Sequence, residues 1–420
     1  MAIASSKQPT PRQVRIAVAL TVVVLLAKVL QQVVTAEARR ADFGTLYTSG
    51  LMIREGKGPK LYDVEEQQRI QEKFLGRQGV LIVIHPPFEA LLLAPLARLS
   101  YYGAYVAWGA INLSLWMLCA HLIRPYAPVP QQTFQYFILC FAFYPLWVAL
   151  IQGQTSVLLL FLYCLVFLSL KRRQDFRAGA FLGLGLFKFQ LVLPFALICL
   201  LRGKWRLIAG FVAAVLLLGA LSILAVGPGG VVSYVQLLMD TIRHPANPAY
   251  ASNKSADMPT LQGFFATVLT RWVAVNWINA GVASISAVLL LLTAWRWRRE
   301  EEQGGDARLG LVFAAALAVS LLTGFHLLAH DLSPMLLALL LAIAVSPRSQ
   351  PSGWRRLLIV SIVPLYLPPV FWVLFHWGRV CLLCPALVGF ALAVFGLLGR
   401  PSLNAAHRTE KETAGTQSLV

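Results

Sequence analysis

Apolar and polar positions alternate along the chain in blocks, not with the period of a soluble helix or strand. Apolar runs occupy residues 14–34, 102–123, 134–150, 155–170, 178–200, 207–226, 277–295, 309–325, 331–345, 357–375 and 380–398. Most approach the roughly 20 residues that carry a helix across a hydrocarbon core. The pattern predicts an all-α polytopic membrane protein with about 10 to 13 transmembrane or re-entrant helices. Residues 86–99 form a shorter apolar run and are expected to be re-entrant or interfacial; residues 260–272 are expected to be an interfacial helix.

Basic residues cluster at alternate ends of these runs: Lys7, Arg12 and Arg15, then Arg124, Lys171-Arg172-Arg173, Arg202-Lys204-Arg206 and Arg296-Arg298-Arg299. The positive-inside rule turns the clusters into a topology. It makes residues 1–13 cytoplasmic, 14–398 one transmembrane domain with external loops at 35–85 and 227–259, and 399–420 a disordered cytoplasmic tail. The first run has no small-residue cleavage site and reads as a retained helix. Within loop 35–85, Phe43 to Arg54 is helix-compatible, Gly56-Lys57-Gly58-Pro59 interrupts it, and Asp63-Val64-Glu65-Glu66 opens a second polar helix, so two short helices on the membrane surface are expected. Run 178–200 contains Lys188, Gln190 and Pro194 between two basic clusters. A single crossing would put one cluster outside, whereas two short segments in an inverted V, with Lys188 and Gln190 at the outer apex, keep both inside.

Composition supports the membrane reading. The 420 residues are 58% hydrophobic and 13% charged, with mean hydropathy +0.68, against roughly 25% charged in soluble domains. The net charge of +18 comes from the clusters beside apolar runs, and nucleic-acid binding is not expected. Six cysteines lie in or beside apolar runs; Cys381-Leu-Leu-Cys384 has no second pair nearby and reads as small helix residues.

This topology gathers Asp42, His85, Gln152, Gln154, Lys188, Gln190, Asn253, His326, His330, Asp331 and Arg379 at one face, and polar groups near membrane depth are functional candidates. Several have a plainer reading. Asp42 can pair with Arg39 and Arg40, Lys188 can snorkel, and His85 before two prolines can shape a segment entry. Gln152 and Gln154 can satisfy a turn, and His376 and Arg379 can be solvated. The eleven tryptophans read as interfacial anchors and Phe88, Phe143 and Phe371 as packing.

Asp42-Phe43 after the first run, Leu61-Tyr62-Asp63, His85-Pro86-Pro87, Leu93-Ala94-Pro95-Leu96, Trp108 with Asn112, Gly153-Gln154, Gly183 through Lys188-Phe189-Gln190, and His330-Asp331-Leu332 occur in this order. Together they resemble glycosyltransferase family 87, over residues 14–345. The resemblance implies a GT-C type fold with short external interfacial helices. It also implies a polyprenyl-phosphate-sugar donor, a polyprenol-phosphomannose-type α-mannosyltransferase activity on a lipid-linked or glycan hydroxyl acceptor, and an active site on the external face of a bacterial inner membrane. Asp42 takes the place of the family's base, and His330 or His326 that of its phosphate-contacting histidine. No cofactor is expected: Asp42 has no second carboxylate two residues on, so a divalent metal lacks an acidic-x-acidic motif.

The chemistry of glycosyl transfer fits these residues independently. A carboxylate accepts the proton of the attacking hydroxyl, and cations, with Lys188, His330 and Arg379 as candidates, stabilise the charge growing on the leaving phosphate. His85, Gln190, Gln154, Asp331 and Asn253 complete the expected donor-binding set. Two other classes compete: a secondary transporter or flippase of an amphipathic or lipid-linked substrate, to which broken helices are equally suited, and a non-catalytic envelope scaffold, in which Asp42→Asn would have no effect.

Overall fold

A computed structural model describes residues 42–76, 81–127, 133–243, 255–302, 308–345, 353–375 and 380–399. The expected first span, Arg39, Arg40, Asn253, Arg379 and the two termini lie outside these residues. Every regular element described is helical.

The interval after the first apolar run holds three short helices, α1 (Phe43–Arg54), α2 (Val64–Leu75) and α3 (Pro87–Leu93). Asp63 caps α2 as its sequence announces, its carboxylate accepting from Glu66 N at 3.1 Å, with Glu65 and Glu66 in the first turn. Both expected helices form, and α1 is packed inside the protein, with Phe43 to Gly50 and Met52 all buried. The reason is its small-residue face: a Cβ on Gly50 would lie 2.7 Å from the Leu93 carbonyl carbon, so α1 and α3 meet backbone to backbone. From α2, Gln67 and Gln71 turn inward as amide clamps. Gln67 takes Val83 N at 2.9 Å and gives to Leu61 O at 2.8 Å; Gln71 takes Leu81 N at 2.9 Å and gives to Leu81 O at 2.6 Å. These bonds satisfy a segment that has no strand partner among the described residues and deliver the chain to His85.

The remainder comprises α4 (Tyr101–Ile123), α5 (Thr133–Phe141), α6 (Tyr144–Gln152), α7 (Ser156–Lys171), α8 (Asp175–Leu184), α9 (Phe189–Leu201) and α10 (Trp205–Arg243). There follow α11 (Leu261–Leu269), α12 (Val275–Glu302), α13 (Leu309–Thr323), α14 (Met335–Val345), α15 (Gly353–Ile362), α16 (Pro368–Phe375) and α17 (Leu383–Leu398). Among the described residues α4, α10 and α12 are long and apolar enough to cross a membrane, and the count rises to six if each bent pair makes one span. The pairs bend by 48° at α5–α6, 58° at α8–α9 and 92° at α15–α16. The middle bend falls at Leu186–Lys188, where the sequence predicts a break. The last is a correction, since run 357–375 reads as one helix in sequence; Pro364 and Pro368 remove two backbone donors within five residues and break it.

A second correction concerns the expected loop 227–259. α10 turns at Gly227 (φ 73, ψ 169), a conformation glycine reaches cheaply, and helix resumes from Pro228 to Arg243 because proline suits a first helical turn. The resumed half folds onto the α1–α3 group, where Tyr234 packs on Tyr62 with centroids 5.2 Å apart; just before the turn, a Cβ on Gly58 would collide with the Ala225 carbonyl.

α13 lies at the centre, buried from Leu309 through Leu322, as an all-round apolar helix must be. By contrast α10 exposes Leu216 (69%) and Leu224 (81%), and α12 exposes Val288 and Leu291. Apolar faces of that extent belong in lipid, and the protein is a membrane protein.

Candidate functional site

Asp42 occupies the N-cap of α1, where an aspartate ordinarily bonds its own helix. Here it makes no side-chain cap bond. Its Oδ2 instead accepts from Gln154 Nε2 at 2.7 Å, across 112 residues of chain. Gln154 is held by the turn before it. Gly153 ends α6 in the left-handed region (φ 64), the conformation that closes a helix with least cost when the residue is glycine. α4 grips that turn with residues on one face: Tyr105 donates to Ile151 O, Trp108 to Gly153 O at 2.9 Å, and Asn112 to Gln154 O at 3.4 Å. Phe43 closes it from the other side, 2.7 Å from where a Gly153 Cβ would stand.

Gln154 Oε1 accepts from Lys188 Nζ at 3.2 Å. The break between α8 and α9 puts Lys188 there: Gly185 ends α8, Leu186–Lys188 makes a tight turn, and the lysine is buried. Its other neighbours are Asp331 Oδ1 at 2.9 Å and His330 Nε2 at 3.5 Å. An ammonium has three N–H donors, and these three acceptors use them all. His330 Nδ1 faces Gln152 Oε1 at 2.6 Å. An amide oxygen only accepts, so Nδ1 carries the hydrogen and Nε2 presents its lone pair to Lys188. Burial pushes the His330 imidazole toward the neutral form, with Lys188 adding to the effect and Asp331 opposing it. Asp331 is further held by Ser156 Oγ at 3.2 Å and Leu328 N at 3.0 Å.

A second arm reaches the same turn. Thr45 Oγ donates to the Asp42 carbonyl at 2.7 Å and lies 3.3 Å from His85 Nε2. His85 Nδ1 is 2.9 Å from Glu89 Oε2, and Tyr62 donates to the His85 carbonyl at 2.7 Å. Pro87 at the first position of α3 fixes the start of the helix, and Glu89 in its first turn reaches back to His85 ahead of the N-cap. Glu89 is buried and its Oε1 has no partner among the described residues; an unsatisfied buried acceptor costs about 1–3 kcal/mol.

Of the residues singled out in sequence, Asp42, Gln154, Lys188, His330, Asp331 and Gln152 form one connected cluster, and His85 joins it through Thr45. Gln190 and His326 stand beside it, with Gln190 Nε2 on the His326 carbonyl at 3.2 Å and Gln190 Oε1 unpartnered. His326 is shifted toward neutrality, chiefly by burial. Lys188 is paired, and His330 is turned toward its neutral form; neither offers the free cation that the sequence suggested. Glu89, Thr45 and Ser156 went unnoticed in sequence. For Glu89 the signal was its place in the first turn of a helix opened by proline.

No group of three or more His, Cys, Asp and Glu gathers as a metal site among the described residues. A separate cavity of about 300 Å³ is lined by Arg173, Asp175, Lys204, Trp297 and Glu300 to Glu302. It adjoins Leu170 in the last turn of α7, whereas Ser156 at the first turn meets Asp331. That length of helix sets the two apart by roughly 21 Å.

Residues 84–329, more than half of the chain, match the family described as Glycosyltransferase family 87. The match covers His85, Glu89, Gln154 and Lys188, while Asp42, His330 and Asp331 fall outside it. No curated protein and no solved structure matches the chain.

Proposed function

Because the chain belongs to glycosyltransferase family 87 and is a transferase, we propose that it moves a sugar from a polyprenyl-phosphate donor to a hydroxyl acceptor, with Asp42 as the base. The observation that carries this reading is the Asp42 carboxylate, turned away from its own helix and oriented by Gln154, whose other end is anchored on Lys188. A base positioned by an amide that cannot itself take its proton remains an acceptor for a substrate proton.

The step is a single displacement. The acceptor oxygen bonds to the anomeric carbon as the bond from that carbon to the phosphate oxygen breaks, and the acceptor proton passes to Asp42. The phosphodiester leaves as a monoester of higher charge and needs no protonation, and the sugar carbon inverts. Counting Asp42 and Asp331 as −1 each and Lys188 as +1, with His330 neutral, the cluster carries net −1. It is therefore suited to holding a base, and Lys188 serves the base and not the phosphate. Groups facing the phosphate would be His85, His326, Gln190, Asn253 and Arg379. The enzyme would have a GT-C type fold in a bacterial-type inner membrane, act on its external face, use a mannose donor and glycosylate a lipid-linked or glycan acceptor.

The test is transfer from polyprenyl phosphomannose in reconstituted vesicles. Wild type is expected to turn over, and Asp42→Asn to lose at least about 10²-fold in kcat with its unfolding temperature unchanged. Retained activity in Asp42→Asn would overturn the base assignment. Failure of the purified protein to bind any polyprenyl-phosphate sugar would overturn the donor.

A further inference from the structure

The arm through His85 contains a carboxylate that the displacement above does not use. Glu89 has a side chain of zero exposure, one oxygen 2.9 Å from His85 Nδ1 and the other without a partner. Packing gives no reason to keep a half-satisfied acid there. The hydrogen count on the ring supplies one. Thr45 has a single hydroxyl hydrogen, spent on the Asp42 carbonyl at 2.7 Å, so its oxygen accepts from His85 Nε2–H. With Nε2 protonated, Nδ1 and Glu89 Oε2 would both be acceptors, and their 2.9 Å contact needs one further proton between them.

We propose that Glu89 is a positioning residue that holds His85 as a doubly protonated cation beside the Asp42 turn, and that this cation meets the donor phosphate. The role rests on the transferase reading above and specifies which group supplies its positive charge. Of the two ring bonds, that to Glu89 is the shorter and ends on a side chain of zero exposure, whereas Nε2–H reaches Thr45 over 3.3 Å from a ring 17% exposed. Nε2–H is thus the donor that can turn to an incoming anion while Nδ1–H stays on Glu89. This is the arrangement in which a second carboxylate orients and charges a working histidine.

Ring ¹⁵N NMR of histidine-labelled full-length protein in lipid nanodiscs at neutral pH, assigned by the signals lost in His85→Asn, reads the pair directly. Wild type should show two protonated His85 nitrogens, and Glu89→Gln one protonated and one bare. Glu89→Gln should also lower kcat about 10- to 100-fold with little change in KM, since the phosphate gains charge in the transition state. A neutral His85 ring in wild type overturns the proposal. So does a ring still charged in Glu89→Gln, or a loss of activity there with the ring unchanged, which would mark a purely structural residue. If Glu89→Gln does not fold, polyprenyl phosphate added to wild type decides: Nε2 must shift while Nδ1 holds, and no shift overturns the proposal. Absence of sugar transfer by wild type, with a charged ring that depends on Glu89, would overturn the transferase donor and leave the pair standing.

Discussion

At the scale of single residues, the site depends on how buried charges are balanced. Lys188 and Asp331 are 8% and 3% exposed in their side chains and stand 2.9 Å apart. Removing one partner strands the other's charge in a poorly solvated interior, which costs about 3–5 kcal/mol, whereas replacing both with apolar residues is close to neutral. Lys188→Met and Asp331→Leu should therefore each lower the unfolding temperature in detergent, and the double variant should recover it. Activity should not recover with stability, because without Lys188 nothing anchors the Oε1 end of Gln154 and the amide can rotate away from Asp42. A double variant as unstable as the singles would show that the pair is not a coupled unit. Lys188 stood out in sequence as a charge in a broken apolar run, but the loss of its freedom to Asp331 did not, since the two are 143 positions apart and only the fold makes them partners.

At the scale of elements, the α6–α7 turn holds Gln154 in place. Gly153 has φ 64 and its absent Cβ leaves room for Phe43. Gly153→Ala adds both backbone strain of about 1–3 kcal/mol and a clash with the residue next to Asp42. It is expected to lower both thermal stability and kcat. Gly109→Ala, in the interior of α4 with nothing within 4 Å of the new Cβ, should be neutral or stabilise by about 0.5–1 kcal/mol. Equal loss in both variants would dissociate the effect from the turn. Gln152-Gly153-Gln154 was legible as a turn from glycine between polar residues. That Tyr105, Trp108 and Asn112 would grip it was not, because helical spacing places three side chains on one face without naming what that face meets.

At the scale of the whole molecule, the basic clusters assign opposite membrane sides to Lys60 and Arg172, both exposed. All six cysteines are buried, so a cysteine introduced at either position can be labelled over a low background. Lys60→Cys should react with a membrane-impermeant maleimide in intact cells and Arg172→Cys only after permeabilisation; the opposite pattern would place Asp42 on the cytoplasmic side. Apolar block length, proline and glycine breaks, and first-turn acids were enough to fix the helical class, the bend before Lys188 and the start of α2, because these follow from local backbone preference and from the cost of burying polar groups in lipid. The burial of α1, the return of α10 onto Tyr62, the neutralisation of Lys188 and the pairing of Glu89 with His85 beneath Thr45 came only with the tertiary structure. Each of these depends on a contact geometry finer than the apolar or polar character of the residues: a missing Cβ that lets backbones touch, or one hydrogen that a hydroxyl can give only once.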